Sequence, residues 1–265
     1  MWDVARGTKV HESKDLCKGL AEDGALDVPG MAMRMEFDAA GRRLVVGTQE
    51  WCTLTMWRTA DWQFIQPPLM MGHSVADLCF MPGSGGTLWS TDFLGQCIHY
   101  DRPPYRKGLD PLPHVKLNAP VLDAAVSPDG RWFAAGALNR KALIFNAETF
   151  EFSPPVLEHN GEVTAVDWSP DGRRLLTATA AGEVNVWDRV TGRRVYAWPQ
   201  EKAVVQAAFA LGGSCIVIAQ MDGKLLMREV YAGGRRPEAG TAALLEKLSG
   251  YRVGAEGQLL PWRGE

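Results

Sequence analysis

The sequence has no strong charge of either sign, no paired cysteines and no long apolar run. Lys and Arg total 28 against 31 Asp and Glu, a formal net charge of -3, so nothing electrostatic argues for a nucleic-acid partner. The Arg pairs at 42–43, 173–174 and 193–194 sit beside turn signals and read as solvated hairpin ends. Cys17, Cys52, Cys79, Cys97 and Cys215 form neither a CxxC pair nor zinc-ligand spacing, which points to a reducing intracellular compartment. No stretch reaches the roughly 18 apolar residues of a membrane helix. Met1-Trp2-Asp3 opens without the cationic segment and apolar core of a signal peptide. A cytoplasmic protein without membrane contact is therefore expected.

Catalytic signatures are missing as well. His11, His73, His99, His114 and His159 make no HExxH or compact ligand set. No glycine cluster forms the strand-to-helix phosphate loop of a nucleotide fold. Ser84-Gly85-Gly86 and Gly212-Gly213-Ser214 are hairpin signals rather than nucleophile elbows. The sequence thus offers no catalytic, metal or cofactor residues, and the expectation is a chain that is not an enzyme.

What it does offer is hydrophobic content of 46% and a repeated all-β pattern. The clearest unit spans 158–198. An apolar segment ending at Trp168 leads into the turn Ser169-Pro170-Asp171-Gly172, a second strand covers 175–179, and a third alternates polar and apolar residues over 183–187. A fourth follows at 194–198. One such small sheet cannot bury enough apolar surface alone and needs neighbours on both faces.

Five related units emerge when the chain is aligned by turn and phase. The inward residue before each first turn falls at Phe37, Phe80, Val126, Trp168 and Phe209, separated by 43, 46, 42 and 41 residues. The last inward position of the third strand recurs at Trp57, Tyr100, Phe145, Trp187 and Arg228, separated by 43, 45, 42 and 41. Two landmarks keep one period. Unit three is expected to run through strands at 121–126, 132–136, 141–145 and 150–152. Unit five reaches 232–237 without an obvious fourth strand; residues 8–11 could supply it and close a ring. Beyond 237 the period stops. Leu244, Leu245 and Leu248 predict a short amphipathic helix, followed by an extended tail at 257–262.

These features resemble the WD-repeat β-propeller family over residues 1–230, most strongly over 119–198. His159 and His73 stand at the family's Gly-His position, Thr177 and Thr179 at its small hydroxyl positions, Trp187-Asp188 at the end of the third strand, with Trp57 and Asp222 as further structural positions. The resemblance implies a propeller of about five recognisable four-stranded blades, as a closed ring or an open arc, over 1–236, with a C-terminal helix and tail over 237–265. Family members commonly have about seven blades, and an open arc would invite self-association. The family ties blades together through a His, Ser/Thr, Asp and Trp network. Here Ala181 stands at the expected Asp position and Arg228 at a Trp position, so apolar packing between blades should dominate. Residues 244–262 resemble tails found after repeats in some bacterial signalling proteins.

The resemblance implies a noncatalytic scaffold for a protein partner, with recognition on the face formed by the turns entering the first strands and those linking the second and third. Trp51, Phe93, Asn139, Asn160, Glu162 and Met221 are the candidate binding positions. The alternative is an enzyme accessory or hydrolase-like propeller. Acidic or histidine side chains converging on a deep central pocket with perturbed ionisation would favour it.

Overall fold

A computed structural model of the chain describes residues 2–3, 8–9, 32–48, 53–61, 63–65, 69–70, 74–101, 114–230, 251–253 and 259–261, and the structural statements below concern these residues. Five antiparallel sheets follow one another in chain order, consistent with propeller blades. The first contains Ala32–Phe37, Arg43–Thr48 and Thr53–Arg58. Its outer position is split between Gln63–Phe64 and Leu69–Met70, which both pair with Thr53–Arg58. Pro67 and Pro68, unable to donate to a ladder, fall between the two pieces.

The second sheet runs Val75–Phe80, Leu88–Asp92, Gln96–Tyr100 and His114–Lys116. In the third, Val121–Val126, Trp132–Ala137, Lys141–Asn146 and Phe152–Glu158 follow in order. The fourth holds Val163–Trp168, Arg174–Thr179, Val184–Asp188 and Arg194–Ala197. Only three strands make the fifth: Val204–Ala210, Cys215–Gln220 and Leu225–Glu229. Thr8–Lys9 does not complete it but pairs with Trp2–Asp3, a neighbour reached across a short loop at small entropic cost. The helix expected over 241–248 lies outside the described residues. Tyr251–Val253 and Leu259–Pro261 form a hairpin whose second strand runs beside Leu225–Glu229.

First strands of successive sheets lie side by side, whereas the fourth strands do not approach one another closely, so the sheets converge on their first strands and splay outward. The apolar core is a series of layers between consecutive sheets. Val45, Leu54 and Met56 meet Leu78, Leu88 and Tyr100 between the first and second. Trp89 stacks on Phe133 between the second and third, with ring centroids 4.3 Å apart. Ile144 and Leu157 meet Leu175 and Trp187 in the next layer, and Leu176 and Val186 meet Ile216 and Ile218 in the last. Each fully buried aliphatic side chain contributes about 2 kcal/mol relative to exposure. The first sheet also buries Leu44, Val46 and Trp57 on its other face.

This layering overturns the simple alternation expected over 183–187. Asn185 is 3% exposed rather than solvent-facing, because the fourth sheet is covered on both sides. The third sheet's outer strand begins at Phe152 instead of 150. Phe150 has φ of +63°, a left-handed turn conformation that cannot continue a strand. His99 is partly buried between Trp89 and Phe150.

Candidate functional site

In the second to fifth sheets the turns joining second and third strands emerge at one end. In the second sheet, Asp92 Oδ1 accepts the Leu94 and Gln96 amides, both at 2.8 Å, and Gly95 closes the turn with φ of +83°. A Cβ at Gly95 would run into the Leu117 and Ala119 carbonyl oxygens, so glycine is required there. The tight turn presents Phe93, 38% exposed, and Leu94, 53% exposed. In the third sheet Arg140, with φ of +67°, takes the corresponding position and leaves Leu138 and Asn139 exposed. The fifth sheet presents Met221, 75% exposed.

The turns of the third, fourth and fifth sheets are each fastened to the loop entering their own sheet. The Leu138, Ala180 and Met221 amides donate to the carbonyls of Pro120, Glu162 and Ala203, each at 2.9 Å. Asn160 and Glu162 therefore share the face with Phe93, Asn139 and Met221. Glu162 is exposed, whereas Asn160 is committed to Glu183, donating its backbone amide at 2.9 Å and its side-chain amide at 2.7 Å. Trp51 lies outside the described residues. Sequence reasoning missed Leu94 and Leu138, although apolar residues recurring in register at glycine-type turns were a signal that could have found them.

The structural positions behave differently from one another. Thr177 Oγ1 lies 2.8 Å from His159 Nε2 and accepts the Trp187 indole N–H at 2.8 Å. The other imidazole nitrogen, Nδ1, is buried without a hydrogen-bond partner among the described residues. Burial holds the His159 pKa below its ordinary value, countered by the charge of Glu183 and by the Arg140 and Leu157 carbonyls. Trp57 donates to Thr55 Oγ1 at 3.2 Å and packs on Phe64. Asp188 caps the turn after its strand through the Thr191 amide and hydroxyl, and Asp222 caps its own turn through the Lys224 amide. His73 lies outside the described residues.

A second set of polar residues, unmarked by any motif, joins the first strands. Arg34 Nε lies 3.3 Å from Asp77 Oδ1. Asp77 Oδ2 accepts the Ala124 amide, Asp123 Oδ2 the Val166 amide and Asp167 Oδ2 the Phe209 amide, each at 2.7 Å and each from the following sheet. Asp77 and Asp123 also interact side chain to side chain, and burial raises both their pKa values. Glu36 is pushed up to about 7 by burial and by the charge of Asp77 while keeping an exposed surface. Burial likewise raises the Cys79 thiol, which donates to the Ala124 carbonyl at 3.2 Å. Among the described residues, no group of three or more His, Cys, Asp or Glu could hold a metal ion.

Residues 112–146 and 153–188, which make up most of the third and fourth sheets, match the family model described as WD domain, G-beta repeat. Two segments of the chain are similar to WD repeats. Mouse WD repeat-containing protein 1 is 33% identical over 81 residues, covering 31% of this chain and 13% of that protein. The periodic tryptophan protein 2 homolog of Caenorhabditis elegans is 30% identical over 99 residues, 37% of this chain and 11% of the relative. Pre-mRNA-splicing factor cwf17 of Schizosaccharomyces pombe is 30% identical over 100 residues, 36% of this chain and 29% of the relative. These matches support a divergent member of the WD40-repeat family, and they span less than a third of each relative's length.

Proposed function

We propose that this WD-repeat chain is a noncatalytic scaffold that binds a protein partner through the face made by its second-to-third strand turns. The carrying observation is the set of exposed apolar side chains, Phe93, Leu94, Leu138 and Met221, at matching turns of the second, third and fifth sheets. Hydrogen-bonded turns hold these side chains in place before binding, which lowers the ordering cost of association. Asn139, Asn160 and Glu162 supply a polar rim beside them, and Trp51 belongs to the same set by its place in the sequence. WD-repeat membership supports a protein-interaction capacity in general terms. A regulatory or signalling-associated role in the cytoplasm is part of the same proposal, as is self-association if the arc is open. The partly exposed outer face of the fifth sheet, with Leu225 42% exposed, favours that self-association.

Affinity capture with the wild-type chain and with a Phe93→Ala, Met221→Ala variant tests the assignment. Loss of the copurifying proteins from the folded variant is expected; an unchanged set would overturn it.

The alternative, an accessory or hydrolase-like propeller, draws on Glu36, whose raised pKa accompanies a groove of about 390 Å³ between the first and second sheets. Asp77 and Asp123 fit a structural role better, since each already accepts a neighbouring backbone amide. Hydrolytic turnover abolished by Glu36→Gln would favour the enzyme.

A further inference from the structure

A groove of about 730 Å³ opens between the second and third sheets, at the end opposite the turns described above. Its wall contains Phe150, whose backbone is anomalous. The corresponding residue of the fourth sheet is Gly192, with φ of +65°, and both residues close the same turn: the Phe150 amide donates to Asn146 O at 2.9 Å, the Gly192 amide to Asp188 O at 2.8 Å. Phenylalanine at φ of +63° carries a steric cost that glycine escapes. In return its ring stands 5.4 Å from His99, nearly edge-on, and 5.4 Å from Trp89, so that an aromatic wall spans the junction of two sheets.

The polar lining of the groove has a sign. Asp101, Asp129 and Glu148 contribute carboxylates, against the single guanidinium of Arg131, which lies 4.0 Å from Asp129. Burial holds the His99 pKa below its ordinary value against the opposing charge of Asp101, which disfavours a positive imidazole beside the carboxylates. Aromatic faces attract cations through their quadrupole, and carboxylates around them reinforce the preference. The volume exceeds that of one side chain and suits a few residues of extended peptide.

We propose that this groove is a second docking site, which takes a short extended peptide segment bearing Arg or Lys beside an aliphatic side chain. The cationic head sits between Phe150 and the carboxylates of Asp101 and Glu148, and the aliphatic neighbour covers the aromatic wall. The site lies on the opposite end from the turn face, so either can bind if the other does not.

Short fluorescein-labelled peptides carrying Arg-Leu or Lys-Leu, with Gln-Leu and Glu-Leu counterparts, are titrated with the full chain and followed by fluorescence polarisation. The basic peptides are expected to bind at least about tenfold more tightly than the neutral ones. Asp101→Asn with Glu148→Gln should weaken them by about tenfold. Phe150→Gly keeps the turn conformation while removing the ring, and should abolish binding in a chain whose circular dichroism is unchanged. Equal binding of basic and neutral peptides, or binding of basic peptides that survives either set of substitutions, would overturn the proposal. Phe93→Ala with Met221→Ala must leave this peptide binding intact, which separates the two faces.

Discussion

The Val166 amide donates a 2.7 Å hydrogen bond to Oδ2 of Asp123, a residue one sheet earlier in the chain. Asp123→Ala leaves that buried N–H without an acceptor, and a loss of about 2 kcal/mol is expected from the midpoint of urea unfolding. Asp123→Asn keeps an acceptor oxygen and should cost less. Equal costs for the two would show that a neutral acceptor oxygen at this position does not hold the joint.

Glu36 gives stability a pH dependence. Its pKa lies at about 7 in the fold against an ordinary 4.5. A group that holds its proton more tightly when folded contributes fully below its unfolded pKa, and the contribution is lost as pH rises through the folded value. The window is therefore about pH 4.5 to 7, with stability falling as pH increases. Asp77 and Asp123, raised by burial, act in the same sense; Asp188, lowered by the Thr191 hydroxyl and amide, acts in the opposite one. Melting temperatures of wild type and Glu36→Gln across this window should diverge at the upper end, with the variant flatter. Parallel curves would remove Glu36 from the account.

His159 invites a repair. Its Nδ1 is buried without a hydrogen-bond partner among the described residues, and Ala181 stands where the WD-repeat network has an aspartate. Ala181→Asp is expected to add about 1 kcal/mol and to raise the His159 pKa, both readable by denaturation and by NMR titration. Thr177→Val works the other way. Removing the oxygen shared by His159 and Trp187 should cost about 2 kcal/mol or more.

Gly95→Ala should destabilise the chain by more than about 1 kcal/mol, since both the positive φ and the neighbouring carbonyls resist a methyl group. It should also displace Phe93 and so weaken partner capture, whereas Phe93→Ala, a surface change, should leave stability within about 0.5 kcal/mol. Capture that follows Phe93 but ignores Gly95 would mean that the turn does not position the ring.

The period and the turns were legible because they depend on local chemistry. Ser127 and Ser169 donate to Asp129 and Asp171 two residues on, at 2.5 and 2.6 Å, as two like segments of sequence require. The WD-repeat resemblance rested on the same stretches. Phe150 was misplaced because nothing in its residue type announces a left-handed backbone. Asn185 was misplaced because alternation presupposes one wet face. The aspartates of the first strands were invisible for a different reason: their partners lie 42 to 47 residues away. On the proposed binding face, exposed positions followed from turn geometry, but the pairing of Asn160 with Glu183 required two loops to be folded together.

Those cross-sheet aspartates limit how freely the repeats could be exchanged. Asp77 and Asp123 reach forward from the third residue of their strands to the fourth residue of the next, while Asp167 reaches from the fifth residue to the sixth. Excising or duplicating the fourth unit would bring a donor and an acceptor of different register together and strand a carboxylate at the junction. A segment alike enough to be read as a copy is thus fitted to its neighbour where the register changes, and gene rearrangement at the fourth unit would preserve the motif while breaking the joint.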